Sequence, residues 1–138
     1  MLNAGVLGAG HLGKIHLRLL NQSKKYNLVG FYDADPDNAQ KVVEEFGYKY
    51  FDTIDELIDA VDVVDIVTPT LSHYECAKQA ISKGKHIFIE KPITNTVEEA
   101  EAIRTLVAEQ DVKGQVGHVE RFNPAFIGVK DQIENPMF

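Results

Sequence analysis

The sequence contains no tryptophan and only one cysteine, Cys76. One cysteine excludes an internal disulfide and a cysteine-based zinc cluster, so Cys76 is predicted to be a small, reduced, apolar side chain on a helix. No apolar run approaches the roughly 18 residues of a membrane span. The first residues also lack the basic start and the cleavage site of a signal peptide. Together these absences favour a cytoplasmic protein.

Positive charge is scarce as well. The chain has 14 lysines and arginines against 21 aspartates and glutamates, which gives a net charge of −7. Nucleic acids and anionic membranes are bound by basic patches, so we expect neither as a partner. With 138 residues, of which 44% are hydrophobic and 25% charged, the composition is that of one ordinary globular domain.

Strand and helix signals alternate along the chain. The predicted strands are runs of consecutive apolar residues, which is typical of a parallel sheet covered by helices on both faces. The predicted fold class is therefore α/β, with a doubly wound parallel sheet. The strands are predicted at residues 2–8, 28–32, 48–51, 63–67, 86–89 and 114–119. The helices are predicted at residues 11–20, 36–46, 54–58, 72–83, 96–110 and 124–133, with Asp35 as the N-cap of the second and Gly47 at its end.

A G-x-G-x-x-G motif lies between the first predicted strand and the first predicted helix. In such a motif Gly8 makes the tight turn, Gly10 lets the backbone approach a pyrophosphate, and Gly13 lets the helix pack closely on the strand. His11 and Leu12 complete the turn, where free backbone N–H groups at the helix start hold phosphates. The alternative is a strand–turn–helix junction that binds no ligand.

Asp33 follows the motif by twenty residues, at the end of the second predicted strand. A carboxylate there accepts hydrogen bonds from the adenosine ribose hydroxyls. It would repel a 2′-phosphate, and no arginine stands beside it, so NAD is favoured over NADP. Asp33 could instead be a solvated turn acid, which is the preferred interpretation of Asp35.

The stretch Glu90-Lys91-Pro92 ends another apolar strand. Ligands of open parallel sheets gather at the carboxyl ends of the strands, so a lysine there would face the nicotinamide end of a dinucleotide. Partial burial and a positively charged nicotinamide would favour the neutral amine, which suits proton transfer. The alternative is a strand-end lysine whose charge pairs with Glu90. Four residues at strand ends are expected to share one cleft: Gly8, Asp33, Thr68 and Lys91.

Three motifs in this order resemble the Gfo/Idh/MocA oxidoreductase family. They are the glycine motif continued to His16, the stretch Thr68-Pro69-Thr70-x-x-His73, and Glu90-Lys91-Pro92. The resemblance implies an N-terminal Rossmann domain that binds NAD(P), with Lys91 as the catalytic residue at the reaction centre. It implies oxidation or reduction at a hydroxyl-bearing or carbonyl carbon of a sugar, cyclitol or nucleotide sugar. The cofactor-binding residues it adds are Thr68, Pro69, Thr70, His73 and Glu90, with Lys91 also touching the cofactor.

The stretch Gly117–Pro124 resembles the family's link into a second domain, and is similar to members that oxidise UDP-N-acetylglucosamine. Arg121 and Asn123 are predicted to contact nicotinamide or substrate, although Asn123 could simply cap the next helix. His16 lies on the apolar face of the first helix and is interpreted as a core histidine whose hydrogen bonds are satisfied, while a cofactor-side role for His73 stays open. No histidines and acids show metal-ligand spacing, so no metal site is predicted.

Family members usually have a second α/β domain that carries the substrate pocket. We therefore expect residues 1–120 to form the Rossmann domain and residues 121–138 to be the truncated start of the substrate domain. Exposed apolar residues of the last helix are expected to make the chain self-associate as a homo-oligomer. Two alternatives are a stand-alone nucleotide-sensing or partner-binding module without catalysis, and an S-adenosylmethionine methyltransferase, which would leave Glu90-Lys91-Pro92 unexplained.

Overall fold

A computed structural model describes residues 1–134 of the chain, so residues 135–138 of the predicted second-domain segment lie outside the described part. One parallel sheet runs through the molecule, with the strand order β2-β1-β3-β4-β5. Its strands are β1 (Leu2–Leu7), β2 (Tyr26–Tyr32), β3 (Val63–Ile66), β4 (His86–Ile89) and β5 (Gly114–Val116). The α-helices are α1 (His11–Gln22), α2 (Pro36–Phe46), α3 (Ile54–Asp59), α4 (His73–Ser82), α5 (Val97–Glu109) and α6 (Pro124–Glu134). The predicted doubly wound α/β fold is confirmed.

Local capping signals explain where the helices begin and end. The Asp35 carboxylate accepts hydrogen bonds from the N–H groups of Asp37 and Asn38 at 3.0 and 3.3 Å, so it caps α2 as predicted. Gly47 ends the same helix in the left-handed conformation, with φ of +71°. Thr96 begins α5 with a complete capping box.

Two strand predictions were wrong in extent. The predicted third strand, residues 48–51, contributes a single bridge between Tyr50 and Phe31. The segment is held beside β2 by side chains as well, since the Tyr50 ring packs against the rings of Phe31 and Tyr32. The last strand ends at Val116 rather than Val119, because the chain turns tightly there and the His118 N–H donates to the Val116 carbonyl oxygen at 2.8 Å.

The core is divided by the sheet. On one face, side chains of α3, α4 and α5 pack against alternate strand residues, including Val64 and Ile66 of β3. On the other face, α1 and α2 cover β1 and β2 through Leu17 and Val42. The intervening residue Asp65 is also buried, although it is a carboxylate in the middle of an apolar strand. None of the helices in residues 1–134 has the length and hydropathy needed to cross a membrane.

Candidate functional site

The glycine turn after β1 has two positions that tolerate no side chain. Gly8 has φ of +93°, and a Cβ atom built there would lie 2.7 Å from the Val67 carbonyl oxygen. A Cβ atom on Gly13 would overlap the carbonyl oxygen of Gly8. Both glycines are therefore required by the fold, which agrees with the turn and packing roles predicted for them.

Gly10 is different, because a Cβ atom there would meet no atom within 4 Å. Its backbone is extended, with φ of −65° and ψ of −165°, and it precedes the first residue of α1. No side chain caps α1, and its first turn contains no acid. The uncapped N–H groups and the positive end of the helix dipole therefore face open space, as an anion-binding helix start requires.

The carboxylate of Asp33 stabilises this turn through hydrogen bonds. Oδ2 accepts the Ala9 N–H at 2.6 Å and the Asn38 side-chain amide at 3.0 Å, while Oδ1 accepts the Asp35 N–H at 2.9 Å. A carboxylate offers about four acceptor positions, so one remains for a ligand hydroxyl. Sequence reasoning missed Asn38, which also donates to the Ala9 carbonyl oxygen at 3.1 Å. Its place in the first turn of a capped helix, just after Asp33, was an available signal.

A cleft of about 780 Å³ opens over the turn at the carboxyl ends of the strands. Its volume is in the range of small-molecule and cofactor sites. Six of the predicted cofactor-binding residues line it: Gly8, Gly10, Leu12, Asp33, Thr68 and Pro69. The Thr68 hydroxyl oxygen is buried beside the Cys76 thiol and has no other hydrogen-bond partner within residues 1–134. Cys76 forms part of the wall, and burial raises the pKa of its thiol, so it stays neutral as the sequence suggested.

His73 lies beneath the cleft and is 2% exposed. Its Nε2 atom is 2.9 Å from the Thr68 carbonyl oxygen, and its Nδ1 atom is 3.0 Å from that of Pro92. Both ring nitrogens therefore face protein carbonyls. The cofactor contact predicted for His73 stays a prediction, and the geometry favours an indirect role through the loops that the ring joins.

Lys91 lines a second recess, a groove of about 570 Å³ that also includes Pro92, Arg121 and Phe126. The expectation of one cleft for all four strand-end residues is therefore corrected, because Lys91 lies in this groove while Gly8, Asp33 and Thr68 line the larger cleft. The His73 ring lies between the two loops that border these recesses, with one nitrogen facing the Thr68 carbonyl and the other facing the Pro92 carbonyl.

The alternative interpretation, an ion pair between the side chains of Lys91 and Glu90, is not seen in residues 1–134. Glu90 is buried, and its Oε2 atom accepts the main-chain N–H of Lys91 at 3.0 Å, whereas the Lys91 ammonium has no carboxylate within 4.0 Å in residues 1–134. The other carboxylate oxygen lies 3.5 Å from Nε2 of His16. Lys91 is exposed, so its amine is available to a ligand in the groove.

His16 is largely buried and its ring contacts two acids, which agrees with its interpretation as a core histidine whose polar atoms are satisfied. Its Nδ1 atom lies 2.9 Å from Oδ2 of Asp65, and its ring is within reach of Glu90. Burial lowers the pKa of His16, but the hydrogen bond and charge of Asp65 and the charge of Glu90 outweigh it, so the pKa lies above its ordinary value of 6.5. Burial likewise raises the pKa of Asp65. An acid inside the apolar run of β3 was the sequence signal for such a partner.

Residues 2–118 match the family model described as the oxidoreductase family with an NAD-binding Rossmann fold, Gfo/Idh/MocA. The chain belongs to this family. The resemblance found from three motifs is confirmed over most of the chain, and the cleft above α1 lies where a Rossmann domain binds its dinucleotide.

Relatives within the Gfo/Idh/MocA family include named sugar dehydrogenases. The UDP-N-acetylglucosamine 3-dehydrogenase of Acidithiobacillus ferrooxidans is 37% identical over 128 residues, covering 90% of this chain and 39% of that protein. Its solved structure matches with a TM-score of 0.88 at 35% identity, over 94% of this chain and 42% of that one. The glucose-6-phosphate 3-dehydrogenase of Bacillus subtilis is 36% identical over 122 residues, covering 88% of this chain and 35% of that protein.

A structure of GenD2 from gentamicin A biosynthesis, solved in complex with NAD, is similar with a TM-score of 0.87 at 26% identity, over 94% of this chain and 38% of that one. This chain therefore spans well under half the length of the relatives it matches. What it shares with them is the NAD-binding Rossmann domain.

The remaining predicted residues of the family site lie around the two recesses. His11 is exposed at the start of α1, and Thr70 begins a 3₁₀ turn before α4. Asn123 acts as a helix cap, since its Oδ1 atom accepts the Ala125 N–H at 3.0 Å. Its contact with nicotinamide or substrate, like that of Arg121, stays a prediction. Within residues 1–134, no group of three or more histidine, cysteine or acidic side chains is arranged to hold a metal ion.

Proposed function

We propose that this chain is the cofactor-binding part of an oxidoreductase that uses NAD in preference to NADP. The observation that carries the proposal is the combination of Gly10 and Asp33 in one cleft. Gly10 opens an uncapped helix start to the pyrophosphate, and Asp33 presents a carboxylate at the end of β2. A 2′-phosphate beside Asp33 would place two anions in contact, and no arginine lines the cleft to offset their repulsion.

The chain's own residues divide the binding task. The N–H groups at the start of α1 would hold the pyrophosphate, and the fourth acceptor position of Asp33 would take a ribose hydroxyl. Thr68 and Pro69 line the cleft after β3 and would contact the part of the dinucleotide that lies over this strand. When bound, NAD supplies a nicotinamide ring that takes up a hydride.

Lys91 is the proposed catalytic residue. Its exposed amine exchanges a proton with the substrate oxygen while the carbon bearing that oxygen gives up its hydride, so that a hydroxyl becomes a carbonyl. Arg121 lines the same groove and supplies a second cation for the substrate or the nicotinamide amide. Support for the role of Lys91 comes from its unpaired ammonium and from its place after β4, at the sheet edge where parallel-sheet enzymes bind their ligands.

The substrate class we propose is a sugar, a cyclitol or a nucleotide sugar, because the similar proteins are named as dehydrogenases of such compounds. We propose that residues 1–120 are the Rossmann domain and that residues 121–138 begin a substrate domain. Most substrate contacts would then lie in that domain, so this chain alone binds NAD but does not turn over substrate. The single, buried cysteine suits a reducing compartment, and we place the protein in the cytoplasm.

Calorimetry on this chain tests the cofactor assignment. NAD should bind more tightly than NADP, and S-adenosylmethionine should not bind. Equal affinity for NAD and NADP would overturn the preference, and binding of S-adenosylmethionine alone would overturn the function.

A kinetic experiment on the complete enzyme tests Lys91. The Lys91→Ala variant should lose about 10²–10⁴-fold in kcat, the usual contribution of a general acid–base group, while its affinity for NAD stays within a few fold. Near-normal turnover would remove Lys91 from the reaction. The present chain should show no dehydrogenase activity with a panel of sugars, cyclitols and sugar nucleotides, and robust turnover would show that the substrate site is within it.

A further inference from the structure

A chain of polar contacts runs from the middle of the sheet to the main chain of Lys91. Asp65 of β3 lies 2.9 Å from Nδ1 of His16, and Nε2 of His16 lies 3.5 Å from Oε1 of Glu90. The second oxygen of Glu90 accepts the Lys91 N–H at 3.0 Å. Three elements far apart in sequence, β3, α1 and the end of β4, are thereby joined beside the residue proposed to exchange the proton.

These contacts matter energetically because the groups that make them are buried. Asp65 and Glu90 are 6% and 5% exposed, and the His16 side chain is 14% exposed. Two carboxylates buried this deeply are costly unless a positive charge or hydrogen bonds offset their desolvation. His16 is the one cation that the described residues place between them, which explains why its pKa is raised despite burial.

The position of Glu90 is restricted from a second side. Gly117 follows β5, and a Cβ atom built on it would lie 2.6 Å from Oε1 of Glu90. The carboxylate therefore fits between a glycine backbone and the His16 ring. One oxygen of Glu90 faces the His16 ring and the other accepts the Lys91 N–H. Glu90 therefore fixes the path of the main chain after β4.

We propose that His16 is a positioning residue for Lys91: its imidazolium holds the Glu90 carboxylate, and that carboxylate fixes the main chain from which the Lys91 side chain extends. The inference rests on the proposed function of Lys91. His16 lines neither the cofactor cleft nor the Lys91 groove, so it acts through Glu90 and not by touching either ligand.

The surroundings of His16 define how this arrangement responds to pH. The charged groups that face its ring are Asp65 from β3 and Glu90 from the end of β4. The ring of Phe88 lies 5.9 Å away, and Tyr26 of β2 shares with His16 a cavity of about 380 Å³. Loss of the ring proton leaves two buried carboxylates around a neutral imidazole, and the hold on Glu90 weakens.

Nuclear magnetic resonance on the unmutated chain provides the first test. The His16 ring should titrate with a midpoint above 6.5, and the main-chain amide of Lys91 should shift with the same midpoint. A Lys91 amide that does not respond to pH, or that follows a different midpoint, would overturn the proposal without any variant being needed.

Variants then assign the effect. In His16→Gln and in Glu90→Gln the pH response of the Lys91 amide should disappear. His86→Asn is the matched control, because His86 begins the same strand and its Nδ1 atom accepts the Lys113 N–H at 3.1 Å, at the opposite end of β4 from Glu90. That variant should leave the Lys91 response unchanged, and persistence of the response in His16→Gln would contradict the proposal.

Kinetics of the complete enzyme separate this inference from the proposed function. His16→Gln should lower kcat by about 10²-fold, the cost of a displacement of about 1 Å, with little change in the KM for NAD. If Lys91→Ala leaves kcat intact, the proposed function fails while the amide titration stands. If Lys91→Ala abolishes turnover but His16→Gln changes neither kcat nor the amide, only the positioning role fails.

Discussion

Asp33 and Ala9 are joined by a hydrogen bond of 2.6 Å, from the Ala9 N–H to the Oδ2 atom of Asp33. The acid that recognises the ribose in the proposed function therefore also ties the end of β2 to the turn after β1. Ligand recognition and the order of the glycine turn depend on the same carboxylate, so a variant that keeps its shape is needed to separate the two.

Replacing Asp33 with asparagine removes the charge and keeps the shape. A charge-assisted hydrogen bond contributes about 1.5–3 kcal/mol, so the affinity for NAD should fall about ten- to a hundredfold, while that for NADP falls less. Calorimetry with both cofactors measures the change. Asp37→Asn, in the first turn of α2 but outside the cleft lining, is the control and should leave both affinities unchanged. Equal losses for NAD and NADP in Asp33→Asn would contradict the assignment.

Gly10 and Gly13 should respond to substitution in opposite ways. Gly10→Val places its side chain in open space, so the chain should melt normally but fail to bind NAD. Gly13→Ala places a methyl group against the Gly8 carbonyl oxygen, and because a backbone atom must shift, the unfolding free energy should fall by at least the ~1–3 kcal/mol of ordinary overpacking. Thermal melting and calorimetry on both variants test the pair. A folded Gly10→Val chain with normal NAD affinity would refute the phosphate site at α1.

His73 should contribute to stability more than an exposed histidine does. His73→Ala removes the buried ring whose two nitrogens face the carbonyls of Thr68 and Pro92, at a cost of about 1–3 kcal/mol. Urea unfolding measures this loss. His118→Ala is the control, since His118 is exposed and its removal should change the unfolding free energy by no more than about 0.5 kcal/mol. Similar values for the two variants would show that the ring does not hold the loops together.

The stability of the chain should depend on pH through His16. The pKa of His16 in the folded chain is raised above 6.5, so its stabilising contribution is complete below pH 6.5 and is lost as the pH rises through the folded pKa. Unfolding free energies measured from pH 5 to pH 9 should therefore decline over that interval, and the decline should be smaller in His16→Gln. Parallel pH curves for the two proteins would contradict the charged pairing with Asp65 and Glu90.

The α6 helix should cause self-association. Phe126, Val129 and Ile133 are 42%, 42% and 57% exposed, and clustered apolar side chains of this kind associate in water. Phe126→Asp should shift the chain toward monomer in sedimentation velocity. Val97→Asp is a stringent control, because Val97 is 73% exposed but is the lone large apolar residue exposed on α5. A monomeric unmutated chain would remove the basis for the expected homo-oligomer.

The elements that the sequence predicted well are those whose signals are local. Asp35, Pro36 and Gly47 define α2 within one short stretch, and the structure confirms both ends of that helix. The segment 48–51 was assigned as a strand from its composition, but the extent of pairing depends on the neighbouring strand, and here it is a single bridge between Tyr50 and Phe31.

In the candidate site too, local features were predictable from the sequence and long-range contacts were not. The glycine motif forms the turn after β1, and Asp33 follows β2 beside it. Their spacing in the sequence was sufficient to predict that they lie together in the cleft. The contacts of His16 with Asp65 and Glu90 span 49 and 74 residues and require the strand order β1-β3-β4, which no local pattern encodes. Helical periodicity placed His16 among leucines and gave no information about the acids across the sheet.

The single ring of His73 also sets a distance. Its two nitrogens flank one carbon of a flat, rigid ring, so the carbonyls of Thr68 and Pro92 that face them are held at a fixed separation. The cofactor cleft is bounded by one of these loops and the Lys91 groove by the other. The separation between the cleft and the groove therefore depends on the dimensions of one imidazole ring, and a longer or more flexible side chain at this position would let the two loops move relative to each other.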